Sequence, residues 1–418
     1  LKAGDKDRKK EKWQHTYKIE VITPIFGGGV KAGEPDTQMP IRASAIRGQL
    51  RYWWRFLATN RRVAPLSGED LFNAERDIWG GMAEPDKDYS SKVKIRVKNV
   101  PDVTSQEYPT GCPEKYKQVE YALFAARKQN DKPASKLITQ HVNFNLKICA
   151  SEEIMKEILP ALSWWASFGG IGARTRRGVG SIKITCDHGN VLTVSDDEIE
   201  EHQCQRECLT PQNDSFEAWK TSIQLLQEFR QLYPKRQRGE MEWVGVGRRK
   251  KSDARYRKFK DSTGPSISNW PEANAIRKKT GENGRHPPPP TAPIIFPRAL
   301  FGMPLAFPFM SDGKKPRETK LLPKKKGKQP YERFASPLIL KPVATEDGKY
   351  QPTALLMPYC HLCDLQLTLQ YQDNSADWIF EPDEWCDRTQ AELVAPIQEY
   401  DGTDALTAFM NFFATGGA

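Results

Sequence analysis

The sequence predicts an α+β fold, on three observations. Four short stretches alternate apolar and polar residues with the period of half-buried strands: Tyr17–Ile22, Lys92–Val100, His141–Ala150 and Ser181–Cys186. Two longer stretches, Ser44–Leu57 and Glu152–Phe168, repeat apolar residues every three or four positions, as amphipathic helices do. Along the chain these elements run strand, helix, strand, strand, helix, strand, the βαββαβ order of a ferredoxin-like domain.

Residues 1–15 are polar and charged, a flexible lead-in. Pro24 stops the first strand. A loop carrying Gly27, Gly28 and Gly29 then runs to Ser44, which is placed to N-cap the first helix. Glu69–Trp79 reads as a second, short helix closed by Gly80-Gly81. In Lys92–Val100, Val93, Ile95 and Val97 share one face while Lys92, Lys94, Arg96 and Lys98 make the other face basic. Val119–Lys128 reads as an inserted helix. Glu152, Glu153 and Glu157 sit near the positive end of the next helix, and Gly169-Gly170 ends it. We divide the chain into an N-terminal domain at 16–200 and a C-terminal domain at 201–418.

The second domain is also α+β. Helices are expected at Phe216–Leu232, at Pro271–Lys279 with proline in its first turn, and at Ala405–Ala414. Strands are expected at Phe301–Phe309, Leu338–Val343, Thr353–Met357 and Leu365–Tyr371, in unresolved order. Two basic segments stand out. One is 234–260. The other is Lys314–Lys328, with eight basic residues and one acid, expected as a mobile loop.

A net charge of +10 fits a polyanionic partner, nucleic acid before membrane. No apolar run approaches the roughly 20 residues that span a bilayer, and no secretory signal is visible. Eight cysteines in a chain of 418 residues are not a small-scaffold disulfide array, so reduced thiols and a cytoplasmic location are the expectation. His202, Cys204 and Cys208, with Cys360 and Cys363, could together supply zinc ligands. The long gap between the clusters favours ordinary buried thiols and no metal.

Two motifs carry chemistry. Gly169-Gly-Ile-Gly-Ala-Arg-Thr-Arg-Arg-Gly-Val-Gly180 packs five glycines and three arginines into twelve positions. It lacks the spacing of a Walker loop, and it runs from helix to strand, opposite to a dinucleotide fingerprint. The helix before it offers its carbonyl end, which repels anions. Anion affinity would therefore rest on Arg174, Arg176 and Arg177 and on backbone amides near Gly169, Gly170, Gly172, Gly178 and Gly180. The second motif is the stripe Arg47, Arg51, Arg55 on the first helix. Like charges four apart repel by about 0.2–0.5 kcal/mol per pair, and no acid lies between Ser44 and Leu57 to relieve them. Their counter-anion must be a carboxylate from elsewhere in the protein or a phosphate. Trp53 belongs to the apolar face. Trp54 lies between faces and is the aromatic placed to touch a base.

No catalytic constellation is legible. None of the six histidines falls in a zincin or H-x-E motif, and no histidine lies in either glycine-rich segment. Asp36, the acid nearest the presumed site, suits ordering its loop better than acting as a base.

The segments TPIFGGG, PIRASAIRGQLRYWWR, GGIGARTRRGVG, SNWPEANAIR, FGMPLAFPF and RFASPLILKP together resemble the first-numbered subunits of the Cmr effector complex, the type III-B CRISPR system, in the RAMP superfamily. The resemblance implies two ferredoxin-like folds per chain and no cofactor. It implies a non-catalytic RNA-binding subunit near the crRNA 3′ end that helps capture target RNA, beside a 3′-end RAMP neighbour and the backbone subunits. Arg42, Arg47, Arg51, Trp54, Arg55, Arg174, Arg176, Arg177 and Arg333 are the candidate RNA contacts. The competing expectation is a metal-independent endoribonuclease that processes guide RNA, which would need a general base such as His141.

Overall fold

A computed structural model of the chain describes residues 13–82, 89–128, 133–232, 241–243, 257–259, 270–282, 287–309, 316–371 and 377–417. The fold is α+β, and it divides into two compact units: Leu1–Gln224 with Ile339–Pro358, and Leu225–Leu338 with Tyr359–Ala418. Residues 201–224 and 339–358, which the linear division assigned to the C-terminal half, thus cluster with the first unit.

The first unit is built on β1 (Trp13–Val21), α1 (Ala43–Asn60), β3 (Lys94–Lys98), β6 (Val142–Ala150), α4 (Glu152–Phe168) and β7 (Ile182–Thr185). The sheet order is β3-β6-β1-β7 and every pairing is antiparallel, the ferredoxin-like arrangement. Period-two patterning decides which face is covered. Tyr17, Ile19, Val21, Val142, Phe144, Leu146, Ile148, Ile182 and Ile184 are buried, in one core with Leu50 and Trp53 of α1 and Ile158 and Leu162 of α4. Each such side chain contributes about 1.5–3 kcal/mol by leaving water. Ser151 caps α4, accepting a bond from the Ile154 amide at 3.4 Å, and Glu152 and Glu153 follow in the first turn.

Helix α1 begins two residues earlier than a cap at Ser44 would place it. Arg42, not Ser44, is its N-cap residue, and no side chain caps it. Helix α2 (Gly68–Trp79) ends at Gly80 as expected. The inserted helix expected at Val119–Lys128 is only α3 (Glu120–Leu123) between two 3-10 turns. Three short strands, β2 (Ile25–Phe26), β4 (Gln106–Glu107) and β5 (Lys136–Ile138), form a small sheet beside it in the order β2-β5-β4.

After α5 (Asp196–Glu201), the strand β8 (Gln205–Cys208) and helix α6 (Ser215–Gln227) lead to the later strands β13 (Leu338–Ala344) and β14 (Tyr350–Leu356). Their sheet order is β13-β14-β8, with β8 antiparallel to β14. This repeats the first motif's arrangement: strand, helix, strand, strand, with the third strand lying between the other two.

In the second unit, β9 (Met241–Trp243) pairs with β10 (Arg257–Phe259). The rest of the 234–260 segment lies outside the described residues, as do residues 1–12 of the lead-in expected at 1–15, whose last three residues, Trp13–His15, belong instead to β1. Helix α7 (Glu272–Thr280) has Pro271 as its N-cap residue rather than in its first turn. Strands β11 (Leu305–Phe307), β12 (Thr319–Lys324), β15 (Gln366–Tyr371) and β16 (Asp377–Phe380) form an antiparallel sheet in that order. The expected strand at Phe301–Phe309 is therefore shorter, because Pro297–Phe301 is a 3-10 turn. The segment 314–328, expected as a mobile loop, contains β12. Its Arg317 is held by Glu282 at 3.2 Å and stacks 3.6 Å over the Tyr371 ring. Only its first two lysines lie outside the described residues. Short helices α8 (Pro382–Trp385), α9 (Arg388–Ala391) and α10 (Ala395–Gln398) precede α11 (Ala405–Ala414). Phe409 and Phe412 of α11 pack around Phe229, each with ring centroids 5.5 Å away.

Candidate nucleic-acid interface

The two glycine-rich loops meet. The Ala173 amide donates to the Phe26 carbonyl at 2.7 Å and the Gly180 amide to Pro24 at 2.8 Å. The β2–α1 connection folds back on itself, with Gly29 donating to Glu34 at 2.9 Å. Asp36 orders this turn by accepting the Gln38 and Met39 amides, both at 3.0 Å. Glycine is required where the loops touch. A Cβ on Gly172, whose φ is +83°, would lie 2.5 Å from the Phe26 carbonyl oxygen. A Cβ on Gly169 would lie 2.2 Å from the Trp165 ring and 2.8 Å from Trp53 Nε1.

These loops wall a cleft with the start of α1. Gly27, Gly28, Asp36, Arg42, Ala45, Gln49, Gly170 and Gly172 line it. The first turn of α1 has neither an acidic residue nor a side-chain cap, so its amides and positive dipole end open on the cleft. Arg42 donates to the Gly28 carbonyl at the rim. The sequence reading considered only the carbonyl end of α4 here and missed the amide end of α1.

The arginines of the 169–180 loop are spread over its surroundings. Arg174, in the left-handed region at φ 60°, donates to the Ala122 carbonyl at 2.6 Å. Arg176 donates to the Tyr52 hydroxyl at 3.0 Å, which ties the loop to α1. The Arg177 carbonyl accepts from Trp219 Nε1 at 2.7 Å. Gly178 is buried, and its carbonyl accepts from Thr23 at 2.6 Å.

The stripe on α1 has an internal counter-anion. Arg51 meets Glu75 Oε1 at 2.7 Å through Nη2, and Arg55 holds Glu75 Oε2. Arg47 donates to the Trp79 carbonyl and lies 6.0 Å over the Trp79 ring. Burial, and then the neighbouring Arg51, lower Arg47 below the usual guanidinium range. The stripe therefore clamps α2 to α1: of the two counter-anions expected, Arg51 and Arg55 have the carboxylate, which corrects the expectation that they contact RNA. Glu75 shares the buried face of α2 with Leu71, Ile78 and Trp79, an acid in an apolar stripe that could have been read from spacing.

Trp54 is also corrected. It is 6% exposed and belongs to the core, because α1 packs against α4 as well as α2 and β3, and its buried face is wider than one stripe. The exposed aromatic of this helix is Tyr52, at 40%. Arg333 is exposed in the second unit, beside the Met303–Phe334 bridge.

A second missed residue is Lys341 on β13. It is 1% exposed, and its Nζ donates to the Gly169 carbonyl at the C-terminus of α4. That helix has no basic residue in its last turn, so Lys341 supplies the missing cap. Burial lowers its amine to about 7. A lone lysine in the apolar run LILKPVA was the signal.

His141 lines a different cavity, with Thr23, Pro24, Asp214 and Trp219. His202 is buried, its Nδ1 2.8 Å from the Glu198 carbonyl oxygen, and Cys204 is pushed up to about 12 by burial. Cys363 is bonded to Cys386 in a disulfide, which corrects the expectation of reduced thiols at that position. Among the described residues, no group of three or more His, Cys, Asp or Glu side chains could hold a metal ion. No helix among them is long and apolar enough to cross a membrane.

Residues 18–183, which hold the four-stranded sheet and both glycine-rich loops, match the model of the RAMP superfamily. The resemblance to Cmr subunits read from the sequence holds. The chain is 22% identical over 187 residues to the CRISPR system Cmr subunit Cmr1-2 of Pyrococcus furiosus, covering 41% of this chain and 95% of that one. Among solved structures it is similar to the apo form of Cmr1 from Pyrococcus furiosus. There the identity is 15% and the TM-score 0.41, over 83% of this chain and 88% of that one. It is also similar to a chain of a type III-B Cmr-beta complex bound to cognate target RNA and AMPPnP. That match has 16% identity and a TM-score of 0.30, over 46% and 58% of the two chains.

Proposed function

We propose that this chain is a non-catalytic RNA-binding subunit of a type III-B CRISPR effector complex. It acts in the cytoplasm near the 3′ end of the crRNA, beside a RAMP neighbour and the backbone subunits, and helps capture target RNA. One observation carries the reading: two glycine-rich loops converge beside Arg42 on the N-terminus of α1, whose first turn has no cap and no acid, while Asp36, the acid of the cleft lining, is taken up by the Gln38 and Met39 amides. Helix amides, a guanidinium and close backbone approach together suit a phosphate of an RNA strand. Arg176 and Tyr52 extend the surface along α1, where a base could stack on the exposed ring.

The test is an RNA titration across salt concentrations. Log affinity falls with log salt by about 0.7 per phosphate neutralised, and Arg42→Ala and Arg176→Ala each weaken binding and flatten that slope. A flat salt response of the wild type would overturn the reading. Labelled RNA incubated with the protein, with or without divalent metal, stays intact. Site-specific cutting that His141→Ala abolishes would make the chain an endoribonuclease instead.

A further inference from the structure

We propose that the open face of the four-stranded sheet, the face turned away from α1 and α4, is a second RNA-backbone tract. It rests on the reading above only for the identity of its ligand. Six cations share this face: Lys18 on β1, Lys94, Arg96 and Lys98 on β3, Lys147 on β6 and Lys183 on β7. They alternate with the buried core residues of the same strands and are exposed or half-buried. None of the six makes an ion pair or side-chain hydrogen bond with a described residue. Glu20, on β1, is the acid among them.

Register sharpens the point. Arg96 lies directly opposite Lys147, and Lys98, Asn145 and Lys18 form one row across three strands. Like charges directly opposite destabilise a sheet. Charges on an edge strand often serve only to block edge pairing, which would account for β3. That explanation does not reach Lys18 and Lys147, because β1 and β6 are central strands. A bound polyanion would relieve the direct Arg96–Lys147 repulsion and the longer-range repulsion among the other cations, whereas Lys183 already faces Glu20.

The surrounding groups select the polyanion. Gln14, Thr16, Asn143, Asn145, Cys149 and Thr185 fill the gaps between the cations, and among the described strand residues of this face none is aromatic or aliphatic. A protein interface is built on apolar and aromatic anchors and is depleted in lysine. A sugar–phosphate backbone needs charges and small polar donors. Without a stacking ring the tract is indifferent to sequence, and same-face side chains recur about every 6.6 Å along each strand.

The experiment compares a short single-stranded RNA with one several times longer, on the full chain. The variants are Lys18→Gln/Lys98→Gln/Lys147→Gln and, separately, Arg42→Ala. The sheet variant is expected to bind the short RNA as wild type does and to lose roughly tenfold or more for the long one. Its salt slope should drop by about 2 for three phosphates lost. Thermal melting should stay unchanged or rise. Unaltered affinity of the sheet variant at both lengths overturns the proposal. So does unaltered RNA affinity with loss of a protein partner from the assembled complex, which would assign the face to an acidic protein. If Arg42→Ala is silent while the sheet variant fails on long RNA, the cleft reading falls and the sheet tract stands.

Discussion

At the residue scale, the same arginines can serve RNA or the protein itself, and Glu75 decides. Removing both Arg51 and Arg55 leaves a nearly buried carboxylate without partners. The double alanine variant should lose about 1–3 kcal/mol of stability, with the RNA affinity of the folded fraction close to wild type; denaturant melts and titrations measure the two separately. The sequence showed that the stripe needed an anion. It could not choose between carboxylate and phosphate, because the chooser sits on another helix. Trp54 failed for a related reason: a helical wheel shows one face, whereas α1 has neighbours on several sides. Lys341 yields a pH prediction. Its amine titrates near 7 in the fold and near 10.5 when unfolded. Between those values the unfolded chain binds the extra proton, so the lysine's destabilising effect fades as pH rises. Relative to Lys341→Met, the wild type should therefore gain thermal stability from about pH 7 to 10. Parallel melting curves across that range would refute this.

At the element scale, the elements with the strongest signals were read closely. Helix α4 runs over Glu152–Phe168 and α11 over Ala405–Ala414, the spans their apolar periods predict. The start of α1 was displaced because Ser44 makes no capping bond and the chain turns helical directly after Pro40-Ile41-Arg42. That uncapped end invites a substitution with opposed effects. Ser44→Glu puts a negative charge in the first turn and should stabilise the free protein by about 0.3–1 kcal/mol. It should also weaken RNA binding, since it occupies the dipole end offered to phosphate. Joint improvement of melting temperature and affinity would argue that the cleft holds no anion. The loop contact gives a separate test. Gly172→Ala adds a Cβ in a left-handed position against the Phe26 carbonyl. Proton exchange at Ala173, whose amide bonds that carbonyl, should rise sharply in this variant while β6 amides stay protected.

At the scale of the whole molecule, the βαββαβ order of the first sheet was legible because its strands and helices alternate within one continuous stretch. The composition of the first unit was not, because residues 339–358 join it from beyond a long intervening segment. No local pattern in LILKPVA announces its distant partners. Truncation after Gln224 should therefore give a chain that exposes the α4 terminus and aggregates, whereas the same piece with 339–358 joined to it by a flexible linker stays soluble; size-exclusion profiles of both would decide.

The bond from Lys341 to Gly169 spans 172 residues, and that separation sets a schedule. Ribosomes add about 5–20 residues per second, so the lysine emerges roughly 10–30 s after the glycine it caps. During that interval the nascent sheet has all four strands, and the loop's bonds to Pro24 and Phe26 can form, while the carbonyl that ends α4 waits without its cap. The residues that line the cleft are thus all made long before the lysine that caps the helix behind it, and the first unit is completed only once 339–358 have followed.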